Sequence, residues 1–77
     1  MSYYIQSVVI PKRIMTKTNA TKWIKQHNYN IDYGIDIKKN VYRYRQAMPN
    51  LFIKTSYRVK TLHNGVELVL AELKTIE

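Results

Sequence analysis

The pair Asn64-Gly65 constrains the fold of this chain more than any other sequence feature. Residues 57–62 before it and residues 66–71 after it are rich in side chains that favour β-strands. A two-residue type I′ turn needs positive φ at both central positions, and Asn followed by Gly tolerates this best. The sequence therefore predicts a β-hairpin with Asn64 and Gly65 at its tip.

The length of this turn predicts which residues of the hairpin face each other. Arg58 and Lys60 then lie on one face of the sheet. Tyr57, Leu68 and Leu70 lie on the other face, where they contribute to the core. A slip of one residue would move every side chain to the opposite face. The predicted pairs are Leu62 with Glu67, Thr61 with Leu68, Lys60 with Val69, Val59 with Leu70 and Arg58 with Ala71.

The N-terminal part of the chain predicts a central strand and one helix. Residues 3–10 are rich in Tyr, Ile and Val, with apolar side chains on both faces, and they end at Pro11. The polar residues 16–19 supply helix-capping side chains, and Asn28 tolerates the backbone that ends a helix. An apolar stripe with helical spacing lies between them and anchors the helix to the sheet. The stripe consists of Ala20, Trp23, Ile24 and His27.

The middle of the chain predicts two more strands. Residues 31–37 alternate weakly around Gly34, which predicts an edge strand with a bulge. After a turn at residues 38–40, residues 41–46 alternate with a period of two. Val41, Arg43 and Arg45 thus face one way, and Tyr42, Tyr44 and Gln46 face the other.

These elements predict an α+β fold for residues 1–77, a single β-α-β-β-β(β) domain. Its sheet is mainly antiparallel, with the one helix packed on one face. A chain of 77 residues buries only about 60–65% of the surface that its unfolded form exposes, so the core is thin. A thin core leaves little room for a catalytic pocket, and we expect no enzymatic activity.

Basic residues are concentrated in one part of the chain. The net charge is +8, and residues 12–60 hold twelve of the thirteen basic residues with only two acids, Asp32 and Asp36. Such a distribution is typical of proteins that bind polyanions. The alternative is a solvated lysine surface. Ile, Lys, Asn and Tyr, whose codons are AT-rich, are abundant in the sequence and indicate an AT-rich genome, which favours lysine for reasons unrelated to function.

Four cations are predicted to share the sheet face that the helix does not cover. Guanidinium groups bind phosphates through paired hydrogen bonds. Glu67 is the one acid predicted on that face, so the four cations cannot all be neutralised within the protein. Lys12 and Arg13 extend the basic surface at the strand end. Alternatively, an arginine of residues 41–46 braces a loop carbonyl or pairs with Asp32 or Asp36. The four predicted cations are Arg43, Arg45, Arg58 and Lys60.

Other chemistry has little support in the sequence. The chain has no cysteine, so disulfides, thiol catalysis and cysteine zinc sites are excluded. His27 and His63 are the only imidazoles, and they lack the convergent partners of a metal site. We therefore expect no metal and no cofactor. The sequence shows no secretion signal and no apolar run that could span a membrane, which predicts an intracellular protein.

Several segments together form a pattern that resembles a known family. They are VVIPK at 8–12, ATKWIKQHNY at 20–29, YRYRQ at 42–46 with Pro49 and Phe52, and YRVKTL at 57–62 before a Gly65-Val66 hairpin. This pattern resembles a small domain that recurs in proteins of tailed bacteriophages and large DNA viruses, alone or attached to prohead-protease-like proteins. It departs from the family at Asn28 and Ala71, where Gly is expected.

The resemblance implies a viral or phage source, and with it a place in a host cytoplasm or a virion, but no established activity. It also implies a shared role, structural or functional, for the matching polar residues Arg43, Arg45, Gln46 and Arg58. With the charge distribution, it leads us to expect an accessory protein that binds nucleic acid through its phosphates. The alternatives are a virion structural or assembly module that binds an acidic protein partner or another copy of itself, and an inhibitor of a host factor.

Overall fold

Five antiparallel strands and one helix make up the fold in the computed structural model, which describes residues 3–74. The elements are β1 (Tyr3–Pro11), α1 (Lys17–Gln26), β2 (Ile35–Ile37), β3 (Val41–Arg45), β4 (Arg58–Thr61) and β5 (Glu67–Glu72). The strand order across the sheet is β2-β3-β1-β5-β4. Two short 3-10 turns, Pro49–Leu51 and Lys54–Ser56, precede β4. The predicted α+β class, with one helix packed on a largely antiparallel sheet, is confirmed.

The strand β1 is central, as its apolar faces predict, and it contains a β-bulge. Ile5 pairs with Leu70 and Ser7 pairs with Val69, so Gln6 is an extra residue on β1. Gln6 and Ser7 are both fully buried although both are polar. Buried polar groups need hydrogen-bond partners, so this bulge must be satisfied by neighbouring side chains.

The helix α1 begins and ends with the predicted capping residues. The Thr16 hydroxyl accepts a hydrogen bond from the Asn19 amide at 3.2 Å. His27 is the C-cap, and Asn28 follows with φ of 61°, the left-handed conformation that ends helices. Trp23 is half-buried and stacks on the exposed His27 ring, whose centroid lies 3.9 Å away.

The core lies between α1 and the sheet face beneath it, which we call the covered face. Ala20 and Ile24 are fully buried against Val8, Tyr44 and Leu68 of three strands. Burial of a side chain as large as Ile24 contributes about 1.5–3 kcal/mol, so a few such contacts hold the helix to the sheet.

The strand β2 is shorter than predicted. Residues 31–37 do not form one bulged strand, because Asp32 and Tyr33 form a turn and Gly34 has φ of 78°. The Asn30 side chain stabilises this turn by accepting a hydrogen bond from the Asp32 amide at 2.7 Å. Only Ile35–Ile37 pairs with β3, at the edge of the sheet.

The hairpin of β4 and β5 forms, but its predicted register is wrong by one residue. Arg58 lies opposite Leu70, and Lys60 opposite Leu68. The Leu62 amide donates to the Val66 carbonyl at 2.7 Å and the Gly65 amide donates to the Leu62 carbonyl at 2.9 Å, so residues 63–65 form a loop of three residues instead of two. In this loop Gly65 has a positive φ of 95°, whereas φ at Asn64 is not positive.

Burial of Leu62 explains why the longer loop is favoured. The Leu62 amide donates to the Val66 carbonyl at 2.7 Å, so these two apolar residues face each other and both contact the core. The predicted turn would have placed Leu62 beside Glu67 on the uncovered face. A three-residue loop with glycine at the positive-φ position is a common hairpin connection, so this arrangement needs no strained residue.

Candidate nucleic-acid interface

The sheet face opposite α1 is uncovered, and we call it the open face. Across its centre, Val9 of β1 lies between Arg43 of β3 and Glu67 of β5. Val41 and Val69 lie on the same face, two residues along their strands from Arg43 and Glu67. The open face therefore combines an apolar floor with charged side chains.

Arg43 is held in place by the bulge. Its Nε donates to the Ser7 hydroxyl at 3.0 Å, and its Nη2 donates to Gln6 Oε1 at 3.0 Å. The Gln6 amide in turn donates to the Ala47 carbonyl at 3.0 Å. These bonds use two of the five guanidinium N–H donors and fix the plane of the group. The remaining donors are free to bind an anion, with no carboxylate partner among the described residues.

Arg45 also lies on the open face, but it has an acidic partner. Its Nη2 is 3.5 Å from Asp36 Oδ2, and both side chains are partly exposed. An exposed ion pair of this length contributes little to stability. Its Nε is buried and lacks a hydrogen-bond partner in the described part of the chain. The pairing with Asp36 is the alternative that the sequence left open for these arginines.

Gln46 holds the loop that follows the helix. Its Oε1 accepts from the Asn30 amide at 2.6 Å, while its Nε2 donates to the Asn30 carbonyl at 2.8 Å and to the Tyr44 carbonyl at 3.2 Å. Both amide hydrogens are therefore used inside the protein. This geometry assigns Gln46 a structural part.

Arg58 and Lys60 do not share a face with Arg43 and Arg45, so the predicted surface of four cations is wrong. Lys60 lies opposite Leu68, which belongs to the covered face, and Arg58 lies opposite Leu70. Arg58 extends over the Tyr3 ring, with 5.0 Å between the guanidinium carbon and the ring centroid. The one-residue change in register is the physical reason for this separation.

Lys12 and Arg13 lie where the strand β1 ends, as predicted. They border a shallow cavity with Asn40, Val41 and Glu67. The Lys12 ammonium is 5.3 Å from the centre of the Tyr42 ring. Val41 belongs to the open face and Tyr42 to the covered face, so this basic pair lies at the strand end between the two faces, and Glu67 lines the same cavity.

Tyr57 and Lys38 are open-face residues that the sequence analysis missed. Tyr57 was predicted to be a core residue, but it is 37% exposed and lines the open face with Val69. Lys38 follows β2 and lines the same part of the open face. Because the hairpin register differs from the predicted one, Tyr57 lies on the open face and not in the core. Predicting this would have required the true loop length.

Comparison with known proteins gives no family for this chain. No protein family model, no curated protein and no solved structure matches it. The resemblance to a phage and viral domain therefore stays a prediction, as do self-association and an acidic protein partner. Within residues 3–74, no helix is long and apolar enough to cross a membrane.

Proposed function

We propose that the protein is a nucleic-acid-binding module that contacts phosphates from its open face. Arg43 and Lys38 are the central contacts, and Lys12 and Arg13 bind phosphates at the end of β1. Arg45 contributes less to phosphate binding because its guanidinium group already pairs with Asp36. Arg58 and Lys60 are not part of this interface.

The orientation of Arg43 is the observation that carries this proposal. A guanidinium group fixed by Ser7 and Gln6, with donors left over and no carboxylate partner in the described chain, suits a phosphate oxygen. Because the group is already oriented, binding costs less side-chain entropy than it would for a mobile arginine. The excess of positive charge in residues 12–60 adds long-range attraction for a polyanion.

Phosphate contacts of this kind predict strong salt dependence. Each contact to a single strand contributes about −0.7 to the slope of log affinity against log salt, so four contacts give a slope near −3. Affinity for an oligothymidine of about ten nucleotides should then fall roughly 50-fold between about 50 mM and 200 mM salt. Fluorescence anisotropy with a labelled strand measures this directly.

Two matched double variants locate the interface. Lys12→Gln/Arg13→Gln removes the cations at the end of β1 and should reduce the slope by about 1–1.5. Arg58→Gln/Lys60→Gln removes the same charge from the covered side and should leave the slope unchanged. If neither the single strand nor its duplex shows salt-dependent binding, or if the two variants behave alike, the proposed interface is wrong.

A further inference from the structure

A concavity of about 550 Å³ lies in the middle of the open face. Its floor is formed by Val9, Val41 and Val69, and Tyr57 stands at one side. Lys38 and Arg43 supply the charged part of the lining. The volume falls within the range of about 300–1,000 Å³ typical of ligand sites, so it is large enough for one nucleotide.

The strand register explains why apolar and basic groups meet here. Val9 on the central strand lies directly opposite Arg43, and the pair Val59 and Val69 continues the floor toward β4. Tyr57 comes just before β4 and contacts Phe52, with 6.3 Å between the ring centroids. The tyrosine ring therefore has a packed neighbour on one side and remains exposed on the other.

The residues around the concavity favour a ligand that combines an anionic group with an apolar one. Among the described residues that line it, two are cationic and none is acidic. Valine side chains and a tyrosine ring favour a flat apolar group. Any nucleic-acid base is such a group, because every base has a flat face that stacks on an aromatic ring. A phosphate attached to that group reaches the free donors of Arg43.

We propose that this concavity is a single-nucleotide subsite for a single-stranded nucleic acid. One unpaired base lies on the valine floor beside Tyr57, and its phosphate binds Arg43 and Lys38. The inference rests on the proposed function and adds the class of nucleic acid. A duplex cannot use the subsite, since its bases are stacked and paired inside the helix.

Strand preference and the effect of Tyr57 test this inference together. An oligothymidine of about twenty nucleotides, long enough to form a stable duplex with oligoadenine, should bind at least about tenfold tighter alone than in that duplex, because only unpaired bases reach the concavity. Tyr57→Ala should weaken single-strand binding by about tenfold, a loss within the range measured for removal of one stacking ring. Tyr57→Phe should restore it, and Tyr33→Ala, at an exposed tyrosine outside the concavity, should have no effect.

Methyl chemical shifts give a readout that needs no variant. Titration of the wild type with the single strand should shift the methyl signals of Val9, Val41 and Val69, and titration with the duplex should not. Salt-dependent binding with equal affinity for both forms, or with unmoved valine methyls, overturns the subsite but leaves the proposed function standing. Absence of any salt-dependent binding overturns both.

Discussion

The two pairs of basic residues on β3 and β4 show how position in a sheet changes what a cation can do. Arg43 and Arg45 lie on β3 beside the central strand and are half-buried by their neighbours. Arg58 and Lys60 lie on the edge strand β4, where every residue is exposed. Both pairs have the same spacing of two residues, but only the β3 pair forms hydrogen bonds to other side chains in the described chain.

This difference separates a cation oriented by hydrogen bonds from a solvated one. Arg43 is fixed because it donates to the buried Gln6 and Ser7 side chains, so removing Arg43 takes a charged donor away from both groups. Arg58 rests on the Tyr3 ring in a solvated position, where a cation–π contact contributes about 0.5–1 kcal/mol. Arg43 therefore combines a structural role with the proposed phosphate contact, whereas Arg58 has no hydrogen-bonding role among the described side chains.

The largest effect is expected at the bulge itself. Gln6→Met keeps the side-chain volume but removes the partners of Arg43, Ser7 and the Ala47 carbonyl. Buried polar groups without partners cost about 1–3 kcal/mol each, so the free energy of unfolding should fall by about 2–4 kcal/mol. Urea denaturation measures the change, and Gln26→Met on the exposed helix surface is the control. A loss no larger than that of the control would contradict the structural role of Gln6.

A cross-link tests the hairpin register that separates the two pairs. Val59 and Val69 lie directly opposite each other, at a position without ladder hydrogen bonds, where Cα atoms are about 4.5 Å apart. Cysteines at both positions should oxidise readily in this cysteine-free chain and stabilise it by about 2–3 kcal/mol. The matched control is Val59→Cys/Leu70→Cys, whose side chains point to opposite faces. Cross-linking of the control pair instead would restore the register predicted from the turn.

A smaller effect should distinguish the arginines themselves. Arg43→Met should lower the free energy of unfolding by about 1–2 kcal/mol, because Gln6 and Ser7 lose a charged donor. Arg58→Met should lower it by only about 0.5 kcal/mol, the lower end of the range for an exposed cation–π contact. For a domain of this size, 1 kcal/mol corresponds to roughly 4–8 °C in Tm, so thermal unfolding resolves the two. Equal shifts in Tm would remove the distinction between the hydrogen-bonded and the solvated arginine.

Local patterns in the sequence predicted the elements well. The Thr16 cap, the buried Ala20 and Ile24, and the left-handed Asn28 all follow from rules that act within a few residues. The alternation of Tyr44 and Arg43 also placed those side chains on the correct faces. The central position of β1 followed from its two apolar faces.

Relations between strands were predicted less well, because they depend on loop length and on contacts distant in the sequence. Asn64 and Gly65 marked a hairpin, but burial of Leu62 selected a loop one residue longer than the pair suggests. The bulge at Gln6 has no local signal, since its partners Arg43 and Ala47 lie far along the chain. The loop length decided where Arg58, Lys60 and Tyr57 lie, and the bulge decided which groups hold Arg43.

Pairing of β1 with β5 has a consequence for the order in which the protein assembles. Tyr3 lies opposite Glu72, so the middle of the sheet joins the first and the last strand among the described residues. During synthesis, β1 emerges before β5 and gains its second neighbour only when β5 has left the ribosome. Such distant pairings slow folding, and until then the unpaired backbone of β1 can pair with other segments. The native sheet is therefore expected to form only after β5 has emerged.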